Sequence, residues 1–311
     1  MRVGAFEVRS AGSLIYHEDH LTHGEELSMR RTGMVALGLL VVACGPADPN
    51  ADWNNNNGGG DGGQPQHDAG PTDGAAGDAI TPVLTDKVYA HSADTLFEVD
   101  PNDLTVIVVG PFGWPSGYTG EQMTDIALDE DGHMVGVSFY HVFAVDKDTA
   151  QCTHLAPLSG SGFNGLSWVE GVGIDPGVPA LVGVDQAGSY VVIDPDTGLS
   201  TTVGAYGGGF GSSGDLVFVR GAGAFATADN FSYSSDVLVQ IDPGSGVATV
   251  IGETGFQDIW GLAYWGGQVF GFTDSGQFLL IDIDTGQGSL VESTSHRFWG
   301  AGVTTVAPIV R

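Results

Sequence analysis

Along most of the chain, apolar and polar residues alternate with a period of two. The runs are short, and glycine, proline and aspartate interrupt them. KVYAHS (87–92), TLFEVD (95–100), QVFGFT (268–273) and QFLLID (277–282) are examples. Alternation of this kind turns one face of an extended segment toward a core and predicts short β-strands. Beyond the first forty residues, no long window carries the 3.6-residue spacing of an amphipathic helix. The 50 glycines among 311 residues fit a turn-rich, all-β chain.

One phrase recurs. EVDPNDLTVIVVG begins at Glu98, AVDKDTAQCTHLA at Ala144, VIDPDTGLSTTVG at Val192, QIDPGSGVATVIG at Gln240 and LIDIDTGQGSLVE at Leu280. Its turn aspartates Asp100, Asp146, Asp194, Asp242 and Asp282 are spaced by 46, 48, 48 and 40 residues. Asp caps its own turn, Pro presets φ, and Gly takes a left-handed position before the return strand. A second column lies upstream, in Asp125–Leu128, Gly165–Trp168, Asp215–Phe218, Gly261–Tyr264 and Gly300–Val303. Its third place is small (Ala127, Ser167, Ala263, Gly302) except at Val217, which suits a crowded axis.

Repeats of 40 to 48 residues, each with four strands a to d, predict a β-propeller. The first repeat lacks its a strand, and the chain ends on a spare one, WGAGVTTV (299–306). The spare strand is expected to complete the first blade, closing a five-bladed ring and removing its exposed edges. An open solenoid is the alternative. The repeats resemble those of exported bacterial β-propellers of the quinoprotein-like or YVTN-like kind, over about residues 86–308. That resemblance implies an architecture and no particular chemistry.

The N-terminal region reads as an address. In MRRTGMVALGLLVVACG (29–45), Arg30 and Arg31 precede an apolar run too short to cross a bilayer. The segment resembles a bacterial lipoprotein signal with Val41-Val42-Ala43-Cys44 as its lipobox, which implies cleavage before Cys44 and a lipid on its thiol. The family prefers Leu where Val41 stands, and an ordinary signal peptide or a buried strand is the alternative. Glu7, Glu18, Asp19, Glu25 and Glu26 sit badly in a secretory leader, so residues 1–28 read as a gene-model extension and Met29 as the start. Residues 1–43 are thus a signal segment, 44–82 a lipidated cysteine with a disordered linker, and 83–311 the propeller. The linker has almost nothing to bury and predicts a flexible spacer. Gly45, in place of an Asp, points to the outer membrane within that resemblance. With Cys44 lipidated, Cys152 is a lone buried thiol; a Cys44–Cys152 disulfide is the competing reading.

The net charge of -29 excludes a nucleic-acid or anionic-lipid surface. It favours cationic or neutral partners. No metal spacing and no cofactor motif is recognised; GFGSSG (209–214) lacks the strand-to-helix setting that phosphate binding needs. Calcium at the turn aspartates or at Asp129–His133 is a weak competitor to turn formation.

Chain direction in a meander puts the d–a and b–c connections on one face. The d–a set brings Trp114, Tyr118, Phe163, Tyr206, Phe210, Phe256 and Trp299 to that rim, with Trp260 just before an inner strand. The b–c set adds Phe139, Tyr140, Asn230, Phe231 and Tyr233. Aromatic faces beside polar groups suit a glycan, a peptide or a protein partner, unless the rings pack between blades. The rival is a polysaccharide-cleaving hydrolase or lyase using Asp125, Asp215 and Asp258 at the propeller mouth. A structural envelope protein without a small ligand is the third reading. The chain is expected to act as a monomer.

Overall fold

The computed structural model describes residues 87–160, 162–173 and 177–310. The signal segment, Cys44 and the linker lie outside the described residues. Within them the chain is all-β: β1 (Val88–His91), β2 (Thr95–Val99) and β3 (Val106–Pro111); β4 (Met123–Leu128), β5 (Met134–Ser138), β6 (His141–Val145) and β7 (Cys152–Pro157); β8 (Phe163–Val169), β9 (Ala180–Asp185), β10 (Ser189–Ile193) and β11 (Ser200–Ala205); β12 (Gly211–Val219), β13 (Gly223–Asp229), β14 (Val237–Ile241) and β15 (Ala248–Glu253); β16 (Ile259–Trp265), β17 (Gln268–Thr273), β18 (Gln277–Asp282) and β19 (Gly288–Ser293); and β20 (Gly300–Gly302). They form five four-stranded antiparallel meanders. Blade 1 is β20-β1-β2-β3, so the chain's last strand completes its first blade. Inner strands β4, β8, β12, β16 and β20 neighbour one another in a closed cycle. The chain is a five-bladed β-propeller, closed as the spare strand predicts.

Burial follows from this geometry. Inner strands are buried almost throughout, as in β4 and β16, whereas outer strands such as β3 and β19 alternate between half-buried and exposed. The repeated aspartates close their turns. Asp100, Asp146, Asp194 and Asp282 each accept the backbone NH two residues on, at 2.8 to 3.0 Å, and Asp242 that of Ser245 at 2.9 Å. The fourth residue after each aspartate has a left-handed φ. It is Gly in blades 3 to 5, but Leu104 (64°) and Ala150 (58°) in blades 1 and 2. The fold imposes the conformation even where the residue type resists it.

The segment after β20 crosses the far end of the ring. Thr304 Oγ1 donates to Asp129 O at 2.8 Å, Arg220 N to Thr305 O at 2.7 Å, and Gly266 N to Pro308 O at 2.8 Å. Arg220 also joins Glu130 and Glu170, tying blades 2, 3 and 4 together at that end.

Candidate functional site

At the other end of the ring four of the five inner strands, β4, β8, β12 and β16, enter their sheets through an irregularity. The register shifts between Met123 and Asp125, Phe163 and Gly165, Ser212 and Leu216, and Ile259 and Gly261. A bulge leaves a residue unpaired and re-aims its side chain. The residues released include Thr124, Asn164, Ser213 and Trp260, and Trp299 takes the equivalent place before β20. All five line a central mouth of about 330 Å³, with Phe139, Phe163 and Gln186. Trp260 and Trp299 meet edge to face with ring centroids 6.2 Å apart.

A larger cleft, about 670 Å³, adjoins the mouth and shares Gln186, Ser213 and Trp260 with it. The β13–β14 connection supplies Asn230, Phe231 and Tyr233, flanked by Asp229 and Asp236, and the β15–β16 connection supplies Gln257 and Asp258. Phe231 is fully exposed, while Tyr233 stacks on Phe210 with centroids 5.9 Å apart. Among the described residues no Lys, Arg or His lines either opening. The lining offers aromatic faces, amides, hydroxyls and carboxylates.

The three cleft carboxyls differ. Asp258 is exposed, on a left-handed backbone of φ 56°. Asp236 is 6% exposed; its Oδ2 accepts the Ile259 NH at 2.9 Å, and the nearby Ser213 favours its ionised form. Burial, reinforced by the charges of Asp258 and Asp229, pushes Asp236 up to about 6. It therefore keeps a proton closer to neutrality than an ordinary carboxyl does.

Asp125 and Asp215 are elsewhere. Both are wholly buried on the axis, where the charge of Asp215 acts on Asp125, out of reach of a ligand in mouth or cleft. Asp258 is not brought to them. The aromatic set divides as well. Trp260 and Trp299 stand at the mouth, where an edge of Phe163 joins them. Tyr206 is buried in the core, and Phe210 and Phe256 pack against it half-buried. The loop bearing Trp114 and Tyr118 folds onto blade 2. Trp114 meets Phe143 at 5.0 Å, Tyr118 stacks on His154 at 4.2 Å, and Glu121 bonds His141 at 3.1 Å. Those rings act as wedges between blades. Asp229 and Asp236 escaped sequence reasoning. The only trace is the length of the β13–β14 connection, which singles out blade 4 but not the direction its carboxyls face.

At the opposite end, Asp129, Asp131 and His133 approach one another. Asp129 Oδ1 is occupied there by the NH groups of Asp131 (3.0 Å) and His133 (2.8 Å), closing a turn.

No family model matches the chain, and no curated protein does. Among solved structures it is similar to a chain of the nidogen/laminin complex, with TM-score 0.45 and 10% identity over 70% of this chain and 97% of that one. It is similar to TolB from Acinetobacter baumannii, with TM-score 0.41 and 14% identity over 68% of this chain and 54% of that one. A protein of unknown function from Bacteroides caccae gives TM-score 0.41 and 8% identity over 68% and 77%. At this distance nothing of those proteins' binding or chemistry passes to this chain.

Proposed function

We propose that the propeller is a ligand-binding module of the bacterial cell envelope, exported and held at the outer membrane by a lipid on Cys44. Its ligand lies across the mouth and the adjoining cleft. The observation that carries this reading is the lining: Trp260, Trp299, Phe231 and Tyr233 beside amides and carboxylates, with no cationic side chain. Flat apolar faces stack on sugar rings, and Asp, Asn and Gln bond hydroxyls. A neutral glycan fits this chemistry best; a peptide or protein segment without acidic residues uses the same groups. An anionic polysaccharide meets only like charge.

The test is a glycan array probed with the full chain. Saturable binding to a neutral glycan, lost in Trp260→Ala/Trp299→Ala, supports the reading. No saturable ligand in any class would leave a structural envelope protein. Metabolic fatty-acid labelling, retained by the native chain and absent from Cys44→Ala, tests the tether.

A second reading is polysaccharide cleavage. The raised Asp236 beside Asp229 and Asp258 favours it, because glycoside hydrolysis pairs a protonated acid with an ionised carboxylate. Release of reducing ends from a bound glycan, abolished in Asp236→Asn and Asp258→Asn, would decide for it.

A further inference from the structure

The five inner strands reach the axis at one level, carrying Asp125, Gly165, Asp215, Gly261 and Gly300 there. The residue that follows on β4, β12, β16 and β20 sends its backbone NH inward, and two carboxyls accept all four. Asp215 Oδ1 accepts from Leu216 at 2.6 Å, and its Oδ2 accepts from Leu262 at 2.7 Å and Ala301 at 3.2 Å. Asp125 Oδ1 accepts from Ile126 at 2.8 Å, and the Leu166 NH of β8 further favours the ionised Asp125 carboxyl. Gly300 leaves the room this requires: a methyl there would overlap the Asp125 carboxyl and the His91 ring.

Both carboxyls are wholly buried and near enough for the Asp215 charge to act on Asp125, and two full charges cannot persist together there. Both oxygens of Asp215 are occupied by amides, whereas Asp125 Oδ2 accepts from none. The proton belongs on Asp125 Oδ2. We propose that Asp125 and Asp215 form a one-proton clasp: neutral Asp125 donates to ionised Asp215, and together they tie the inner strands of four blades around the axis. The clasp also positions the mouth, because Leu262 and Ala301 follow Trp260 and Trp299 by two residues.

Few other groups face this pair. From β1, His91 places Nε2 3.6 Å from Asp125 Oδ1 and donates from Nδ1 to Ser92 O at 2.8 Å; burial lowers its pKa to about 4, so the ring is neutral. The buried phenol of Tyr206, ahead of β12, feels the Asp215 charge. Among the described residues β8, β16 and β20 bring no titratable group to the pair, and no Lys or Arg faces it.

Above about pH 4 the unfolded chain has released these protons while the native chain keeps one, so the clasp's stabilisation is complete below that pH and is lost as pH rises through the pair's own range. His91 opposes this only below about pH 6.5, where the unfolded imidazole gains a proton that the native ring refuses. Asp236 has titrated by about 6. The clasp therefore dominates the slope above that range.

Denaturant unfolding of the full chain between about pH 6.5 and 8 tests this, and one retained proton raises the native unfolding constant by up to about tenfold per pH unit. Asp125→Asn puts an amide donor where the acid proton was; it keeps the fold, and its unfolding constant changes less than about twofold over the same range. Asp215→Asn turns an NH₂ toward amide donors and raises the unfolding constant at least about a hundredfold at pH 6.5. A flat native profile, an unchanged slope in Asp125→Asn, failure of Asp125→Asn to fold, or an Asp215→Asn variant as stable as Asp125→Asn would each overturn the clasp. Carboxyl ¹³C NMR at neutral pH gives an independent reading: one aspartate signal in the acid range, absent in Asp125→Asn. The Trp260 and Trp299 indole signals should move with the same midpoint; indoles that stay fixed would refute the link to the mouth.

Discussion

Gly302 pairs with Tyr89 in antiparallel register, so the last strand of the chain lies beside the first. Ala301 and Gly300 continue the pairing opposite Ala90 and His91. Without β20, the wholly buried strand Val88–His91 becomes an open edge, and the Ala301 NH is missing from the axis. Deletion of residues 299–311 should abolish cooperative unfolding or drive self-association. Light scattering combined with thermal unfolding reads both. A monomeric variant with the native midpoint would contradict closure.

Turn strain gives a second prediction. Gly246 has φ +74°, and a methyl on it would lie 2.5 Å from Cβ and Cγ of Tyr190. Tyr190 cannot retreat, being wholly buried with its hydroxyl donating to Pro243 O at 3.1 Å. Gly246→Ala should cost roughly 2–3 kcal/mol and lower the thermal midpoint by about 5–10 °C. Gly207 has a similar φ of +70° with open space around it, so Gly207→Ala pays conformational strain alone, about 1 kcal/mol. Equal losses for the two variants would remove the packing argument.

The cleft carries a pH signature of its own. Asp236 is raised to about 6, so its contribution is complete below the unfolded value and is lost as pH climbs from about 4 to about 6. Asp236→Asn does not titrate. Native stability relative to that variant should therefore fall by about 2 kcal/mol between pH 4 and 7. His91 and the axial pair titrate in both proteins and cancel in the difference. Parallel stability profiles would show that Asp236 is an ordinary carboxyl.

Much of the architecture was legible because it repeats. The turn aspartates set the blade count, and the spare strand at residues 299–306 announced the closure. Trp260 and Trp299 could be placed at the mouth because they immediately precede inner-strand residues whose column was visible. The axial pair was not legible as a pair. Asp125 and Asp215 lie 90 residues apart, and a column of two aspartates among glycines does not show that amides from four strands converge on them. Trp114 and Tyr118 were hard to place for a related reason. Their glycine-rich loop reads as free, yet Phe143 and His154 of the next blade offer it a docking surface. Leu104 and Ala150 show the converse: turn register, rather than residue type, dictated the left-handed backbone.

On the proposed reading, ligand is held where mouth and cleft meet. Once an array has supplied a neutral glycan, titration calorimetry with the native chain, Tyr233→Ala, Trp260→Ala and Trp114→Ala decides it. Loss of a stacking ring should weaken binding by at least about tenfold in Tyr233→Ala and Trp260→Ala, while Trp114→Ala lowers stability and leaves affinity within about twofold. Affinity lost in Trp114→Ala but kept in the other two would place the ligand elsewhere on the ring.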